Sequence, residues 1–264
     1  MLVSVIIATK NEEENISNCL KSVSRQSQKC EIVVVDNFSE DKTVVIVRKF
    51  TKKVFTKGPE RSTQRNFGLK KAKGEFVLFL DADMILEKNV VLECITSFKK
   101  NSYLSGIIID EVPKGKGLLA RIKKLEKRLN TGHPNLEAAR FFKLKEVIKV
   151  GGYDEKLFAG EDWDLSKKME MLGALARIES KIYHIENETF WDDIKKKYYY
   201  SKNIRVYAKK HPHSFKTQAG IVRLSIIFSQ PSLIVKHPME FIGLLFLKSF
   251  HYSAFLIASV RSND

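Results

Sequence analysis

The stretch Phe76-Val77-Leu78-Phe79-Leu80-Asp81-Ala82-Asp83 constrains this chain more than any other. An unbroken apolar run of this length reads as a strand buried on both faces, as in a parallel sheet covered by helices. Open α/β sheets bind ligands outside the carboxyl ends of their strands, and two carboxylates sit at that end here with spacing i, i+2. Like charges so crowded are costly unless something positive lies between them. A divalent ion bridging the phosphates of a nucleotide is the usual answer. A D-x-D on a solvated turn would carry no such meaning; the apolar strand in front of this one gives it weight.

The surrounding pattern agrees with a mostly parallel sheet. Strands are expected at residues 3–8, 31–36, 53–56, 76–80 and 103–109. Helical spacing fills the gaps: residues 12–24, with Ile16, Leu20 and Val23 on one face, then 41–50, 62–73 and 87–100. Gly74 is expected as the residue that closes the third helix. Alternation of this kind means right-handed βαβ crossovers. The amino-terminal residues Leu2-Val3-Ser4-Val5-Ile6-Ile7-Ala8 lack a basic lead and a cleavage site, so they read as a first strand rather than a signal peptide. Beyond Asp110 the rhythm changes. A basic amphipathic helix is expected at 118–130, short strands around one further helix at 138–185, and a tyrosine-rich basic helix at 191–210.

Composition bounds the partners. At 264 residues the chain can bury a full core, and 46 basic against 31 acidic residues leave a net charge of +15. That surplus calls for an acidic partner: nucleotide phosphates, an anionic membrane or nucleic acid. No helix-turn-helix, zinc-finger or RNP signature supports nucleic acid. Cys19, Cys30 and Cys94 show no C-x-x-C spacing, which points to a reducing compartment and away from a zinc site.

A second acidic cluster, Gly160-Glu161-Asp162-Trp163-Asp164, opens a helix, where acids serve at the least as N-terminal charges. Displacing a nucleoside diphosphate from a sugar needs a base for the incoming hydroxyl and a cation on the leaving group. Asp81 and Asp83 suit the cation; Asp162 or Glu161 suits the base.

These residues resemble a known family. Ser4-Val5-Ile6-Ile7-Ala8-Thr9-Lys10-Asn11-Glu12-Glu13 and Val33-Val34-Val35-Asp36-Asn37-Phe38-Ser39-Glu40-Asp41 look like the opening of the family 2 glycosyltransferases of GT-A fold. Gln64-Arg65-Asn66-Phe67-Gly68-Leu69, the D-x-D strand, Gly151-Gly152-Tyr153-Asp154-Glu155 and the Gly160–Asp164 cluster continue the likeness in order, across roughly residues 1–185. The resemblance implies an α/β, Rossmann-like nucleotide-diphospho-sugar transferase with an open twisted sheet and inverting chemistry. It implies that Thr9 and Glu12 line the nucleoside pocket and that Asp36 binds the base or ribose. Arg65 would face the nucleotide, with Arg61 joining at the diphosphate. Asp83 would be the direct ligand of Mg²⁺ or Mn²⁺, with Asp81 and Ala82 against the ribose or a metal-bound water. Asp162 would be the catalytic base and Glu161 an orienting residue. His184, following a strand, is placed to complete the metal shell; a structural histidine is its alternative. A UDP- or GDP-linked sugar is the implied donor.

The chain is expected to divide into a catalytic domain, 1–215, and a hydrophobic, basic helical tail, 216–264. Within the tail, residues 241–260 barely reach the length that spans a bilayer, and Lys248 and His251 lie on one side. A helix lying in the interface fits that pattern better. The expected acceptor is therefore lipid-linked, a polyprenyl phosphate or polyprenyl-diphosphate saccharide, at the cytoplasmic face of a membrane with an anionic surface. Two rivals stand beside this reading. A nucleotidyltransferase would need a glycine-rich loop after the first strand, and Ala8-Thr9-Lys10-Asn11-Glu12 holds no glycine. A basic nucleic-acid-binding protein accounts for the charge and leaves the strand-end acids unexplained.

Overall fold

The computed structural model describes residues 1–133, 135–218 and 221–261; positions 219–220 and 262–264 of the expected tail lie outside the described residues. Two compact units emerge. The first comprises Met1–Glu111, Ala138–Glu155 and Glu161–Ile185; the second comprises Val112–Glu137, Lys156–Gly160 and the chain from Glu186 onward.

In chain order the elements are β1 (Val3–Thr9), α1 (Ile16–Ser24), β2 (Cys30–Asp36), α2 (Thr43–Val47), β3 (Val54–Thr56), α3 (Arg61–Lys71), β4 (Phe76–Asp81), β5 (Met84–Leu86) and α4 (Val90–Lys100). Next come β6 (Leu104–Ile108), β7 (Glu111–Lys114), α5 (Gly117–Asn130), β8 (Ala139–Lys143), α6 (Leu144–Lys149), α7 (Glu161–Glu170), β9 (Ala174–Arg177) and β10 (Ile182–Ile185). The remainder is helical: α8 (Phe190–Lys210), α9 (Pro212–Gln218), α10 (Ile221–Phe228), α11 (Pro231–Lys236) and α12 (Pro238–Arg261).

The first unit is built on a seven-stranded sheet of order β3-β2-β1-β4-β8-β6-β9. Its pairs are parallel except at β8, which runs antiparallel to both β4 and β6. Every residue of β1 is buried, because helices cover both faces. Val3, Val5 and Ile7 point into one layer, where they meet Ile16, Leu20 and Val23 of α1 and Val91 and Ile95 of α4. Ile6 points the other way, into a layer with Leu69 of α3 and Leu165 and Met169 of α7. Burying each large apolar side chain contributes about 1.5–3 kcal/mol, so the strand's all-apolar reading and its central place have one cause.

Local expectations need three corrections. The helix expected over 41–50 shrinks to Thr43–Val47, because Asp41 accepts from the Thr43 amide and so shapes the turn instead of the helix interior. Gly74 does not close α3: the cap is Ala72, with extended backbone. Gly74 is required for another reason, since a Cβ there would lie 2.6 Å from the Ser4 amide nitrogen and 2.7 Å from the Phe76 carbonyl oxygen. Residues 138–185 hold two helices, α6 and α7, where one was expected. The break expected at Pro231 in the apolar stretch 221–235 is present: it separates α10 from α11, because proline starts a helix readily and cannot continue one.

The second unit packs α5, α8 and α12 together around Ile122, Leu125, Leu129, Leu244 and Leu247. Gly243 sits where a Cβ would meet the Ile122 side chain at 2.4 Å, so α5 and α12 approach closely there.

Candidate active site

The carboxyl edge of the first unit's sheet collects most of the residues singled out from the sequence. Thr9 ends β1 and Asp36 ends β2, paired in register. Gln64, on α3, ties the two strand ends together: its Nε2 donates to the Thr9 carbonyl at 3.0 Å and to the Val35 carbonyl at 2.6 Å. Asp36 is buried and accepts from the Ser39 amide and hydroxyl, at 2.9 and 2.5 Å. Glu12 lies in the following loop, where Asn15 Nδ2 donates to it at 2.9 Å and its own amide donates to Thr43 Oγ1 at 2.7 Å.

At the end of β4 the charges alternate. Arg65 of α3 is wholly buried. Its Nη2 donates to Asp81 Oδ1 at 2.6 Å, and its Nη1 donates to Asp162 Oδ1 at 2.8 Å, with Glu161 Oε1 at 3.5 Å. Arg61, one turn earlier and half-exposed, pairs with the same Glu161 oxygen at 3.0 Å. On the far side, Arg140 of β8 reaches Asp81 Oδ2 at 3.4 Å and Glu111 Oε1 at 2.6 Å. The row thus runs Glu111, Arg140, Asp81, Arg65, then the Glu161 and Asp162 pair, then Arg61. Each buried charge has an opposite neighbour, the arrangement burial demands.

The titration directions follow. Burial alone would raise the Asp81 carboxyl, but Arg65, Arg140 and Arg61 override it and hold the group far below the usual carboxylate range. Burial, with the charge of Asp162 added, pushes Glu161 up despite the two arginines beside it. Burial pushes the Tyr153 phenol up as well, so it stays a donor.

A separate pair lies just beyond β4. β5 and β10 run antiparallel with Met84 opposite His184, and the Ile185 amide donates to the Asp83 carbonyl at 2.9 Å. That pairing brings His184 Nε2 to 2.9 Å from Asp83 Oδ2. Asp83 Oδ1 is buried with no hydrogen-bond partner among the described residues, as is Thr9 Oγ1. Orphaned polar atoms of this kind mark a place where a ligand completes the bonding. The donor set expected for a metal, Asp81 with Asp83 and His184, is not assembled: Asp81 is turned to its two arginines, and no cluster of three or more metal-ligating side chains forms among the described residues. Of this pair, the Asp83 carboxylate is the donor that suits a hard cation such as Mg²⁺ or Mn²⁺, and the His184 imidazole lies beside it.

Four contributors were not singled out beforehand. Gln64 and Tyr153 sat inside quoted motifs without a role. Arg140 carried a signal, a charge within the apolar run Ala139-Arg140-Phe141-Phe142, and Glu111 carried none.

The fold is of the GT-A class. A profile of the glycosyl transferase family 2 matches residues 4–153, more than half the chain, and the chain belongs to that family. Among curated relatives, the poly(ribitol-phosphate) beta-N-acetylglucosaminyltransferase TarS of Staphylococcus aureus is 39% identical over 101 residues, covering 34% of this chain and 18% of TarS. The poly-beta-1,6-N-acetyl-D-glucosamine synthase of Staphylococcus epidermidis is 30% identical over 132 residues, 47% of this chain and 32% of the synthase. The chain thus matches less than a third of either relative's length. Among solved structures, the mannosyltransferase PcManGT of Pyrobaculum calidifontis, in complex with GDP-Man and Mn²⁺, has a TM-score of 0.62 at 16% identity, over 96% of this chain and 86% of that one. Staphylococcus aureus TarS 1-349 with UDP-GlcNAc has a TM-score of 0.54 at 19% identity, over 100% and 93%.

Proposed function

We propose that this protein is a metal-dependent, inverting transferase that moves a sugar from a UDP- or GDP-linked donor to a lipid-linked acceptor. The observation that carries the reaction class is the juxtaposition of Asp162 with the D-x-D strand end through Arg65. Thr9 and Asp36, at the ends of β1 and β2, with Glu12 in the next loop, receive the nucleoside. Asp81 and Ala82 face the ribose, and Arg61 and Arg65 offset the charge of the diphosphate. Asp83 and His184 would hold a divalent ion, which would supply positive charge against the leaving diphosphate. Asp162 accepts the proton of the acceptor hydroxyl as the acceptor oxygen bonds to the anomeric carbon and the bond to the diphosphate breaks. One carboxylate acting on an in-line attack inverts that centre. A phosphate acceptor, already ionised, would use Asp162 for orientation alone.

Nucleotide binding then depends on metal. Titration calorimetry of UDP and GDP is expected to show binding with Mn²⁺ that weakens by an order of magnitude or more in EDTA. Equal affinity in both conditions for both nucleotides would remove the metal from the reading.

The lipid-linked acceptor is supported by the second unit. Pro238–Ala258 is long and apolar enough to cross a membrane, with mean hydropathy 1.6, and only 22% of it is buried. Its charged side chains and its histidine are satisfied from within the unit: Glu240 pairs with Arg121, Lys248 pairs with Glu126, and His251 Nε2 lies 2.6 Å from Asp193 Oδ2. Elsewhere along the helix Met239, Ile242, Phe246, Leu256 and Ile257 are exposed. A helix bound on one side and apolar on the other suits the plane of a bilayer better than a span through it. Charge favours the same surface: this unit has 20 basic and 8 acidic residues, a net +12 of the chain's +15. The protein is accordingly peripheral, at the cytoplasmic face. In flotation, full-length protein is expected to rise with anionic liposomes and to be released only partly by high salt, which screens charge and leaves apolar burial intact. Protein that never floats would point to a soluble acceptor.

A further inference from the structure

The hydrogen bonds to Asp162 are unevenly divided. Arg65 Nη1 and the Tyr153 hydroxyl both donate to Oδ1, at 2.8 and 3.1 Å, while Oδ2 accepts no hydrogen bond from any described residue. One oxygen is therefore fixed by two donors and the other is left to receive a proton.

Tyr153 is built to keep that hydroxyl in place. The residue is 3% exposed, in the core layer with Leu69, Leu165 and Met169. Its ring meets Phe79 of β4 edge-on, with centroids 4.9 Å apart, and the Arg65 guanidinium carbon lies 5.1 Å from the ring centre. Asn66 of α3 fixes the backbone twice, accepting from the Tyr153 amide and donating to its carbonyl, both at 2.9 Å. Phenylalanine would fill the same space and make the same ring contacts. Packing therefore does not account for the hydroxyl, and its one hydrogen bond, to Asp162, does.

We propose that Tyr153 is a positioning residue for the base: with Arg65 it pins Oδ1 of Asp162 so that Oδ2 faces the acceptor proton. A carboxylate free to rotate about its Cβ–Cγ bond would present the acceptor either oxygen at a changing angle, and misorientation of a reacting group is costly in rate.

The inference rests on Asp162 being the base, and one set of variants tests the two separately. Tyr153→Phe is expected to lower kcat by about 3- to 10-fold, the worth of one ordinary hydrogen bond, with donor KM unchanged. On the Asp162→Asn background the same change should cost nothing further, because the partner that needs orienting is gone. Calorimetry with UDP or GDP and Mn²⁺ reports whether the site is intact. A Tyr153→Phe variant that loses nucleotide affinity along with turnover has a structural role, and the proposal fails. It fails too if turnover matches the parent while Asp162→Asn is inactive; the base itself then stands. An Asp162→Asn enzyme with near-parental turnover would instead remove the base assignment.

Discussion

Asp162→Asn is expected to lower kcat by roughly 10²–10⁴-fold, the usual worth of a positioned general base. The substitution is close to isosteric. Its side-chain oxygen can still accept from Arg65 Nη1 and the Tyr153 hydroxyl, as Oδ1 does now. The amide nitrogen that replaces Oδ2 is a donor and cannot take a proton. Donor affinity should therefore change little, and the loss should fall on kcat with kcat/KM following it. Steady-state kinetics beside calorimetry of UDP and GDP with Mn²⁺ separates the two. Turnover near the parental value would transfer the role to Glu161 or would indicate an acceptor phosphate that needs no base. Asp164 is a poor substitute, being fully buried and paired with Lys168 at 3.0 Å.

The charge row also shapes the response to pH. Asp81 has a folded-state pKa far below its unfolded one, so it contributes stability above about pH 4, the unfolded value. That contribution is lost progressively as pH falls below there toward the depressed folded value. Glu161 has the opposite sign. Its folded pKa is raised, so its contribution is present below the unfolded value near pH 4 and is lost as pH rises through the folded one. At neutral pH the cluster therefore holds one carboxylate that favours folding and one that opposes it.

Much of this arrangement was legible in the sequence because periodicity and strand ends report it directly. The apolar run before Asp81 could only be a central strand, and the sheet order puts β4 between β1 and β8. Thr9, Asp36 and Asp81 each end a strand, so a strand reading places them on one edge without knowledge of the pairing. What escaped depends on long-range closure. Arg65 and Asp162 stand 97 residues apart, and nothing local to either says that one guanidinium bridges Asp81 to Asp162. His184 meets Asp83 only because β10 pairs with β5, a contact across 101 residues. Glu111 reads as an ordinary loop acid until Arg140 is placed against it. D-x-D spacing likewise shows two acids and cannot show that the buried arginines Arg65 and Arg140 lie against the first. Short elements were lost to side-chain hydrogen bonds, as where Asp41 turns the chain ahead of α2.

Arg65→Met should be the most destabilising single change in the first unit. The wild-type side chain is fully buried and joins Asp81, Asp162 and Glu161. Methionine fills a similar volume, so the cost is electrostatic rather than a cavity. Removing one partner of a buried ion pair leaves an uncompensated charge and typically costs about 3–5 kcal/mol. Here Arg140 still holds Asp81 and Arg61 still holds Glu161, which places the expected loss within that range rather than above it. For a unit of this size that corresponds to a fall in Tm of roughly 6–20 °C. Arg65→Lys should recover only part of the loss, because an ammonium lacks the fork that bridges Asp81 and Asp162 at once. Lowering the pH toward 4 should narrow the gap between Arg65→Met and the parent, since carboxylates in the mutant can be neutralised by protons in place of the guanidinium. Differential scanning calorimetry from pH 4 to 8 checks all three statements. A methionine variant that melts within about 2 °C of the parent at pH 7 would mean that Asp81 and Asp162 are compensated by other groups. The row of alternating charges would then be a feature of the surface it faces, and its hold on the geometry of the base would have to come from Tyr153 alone.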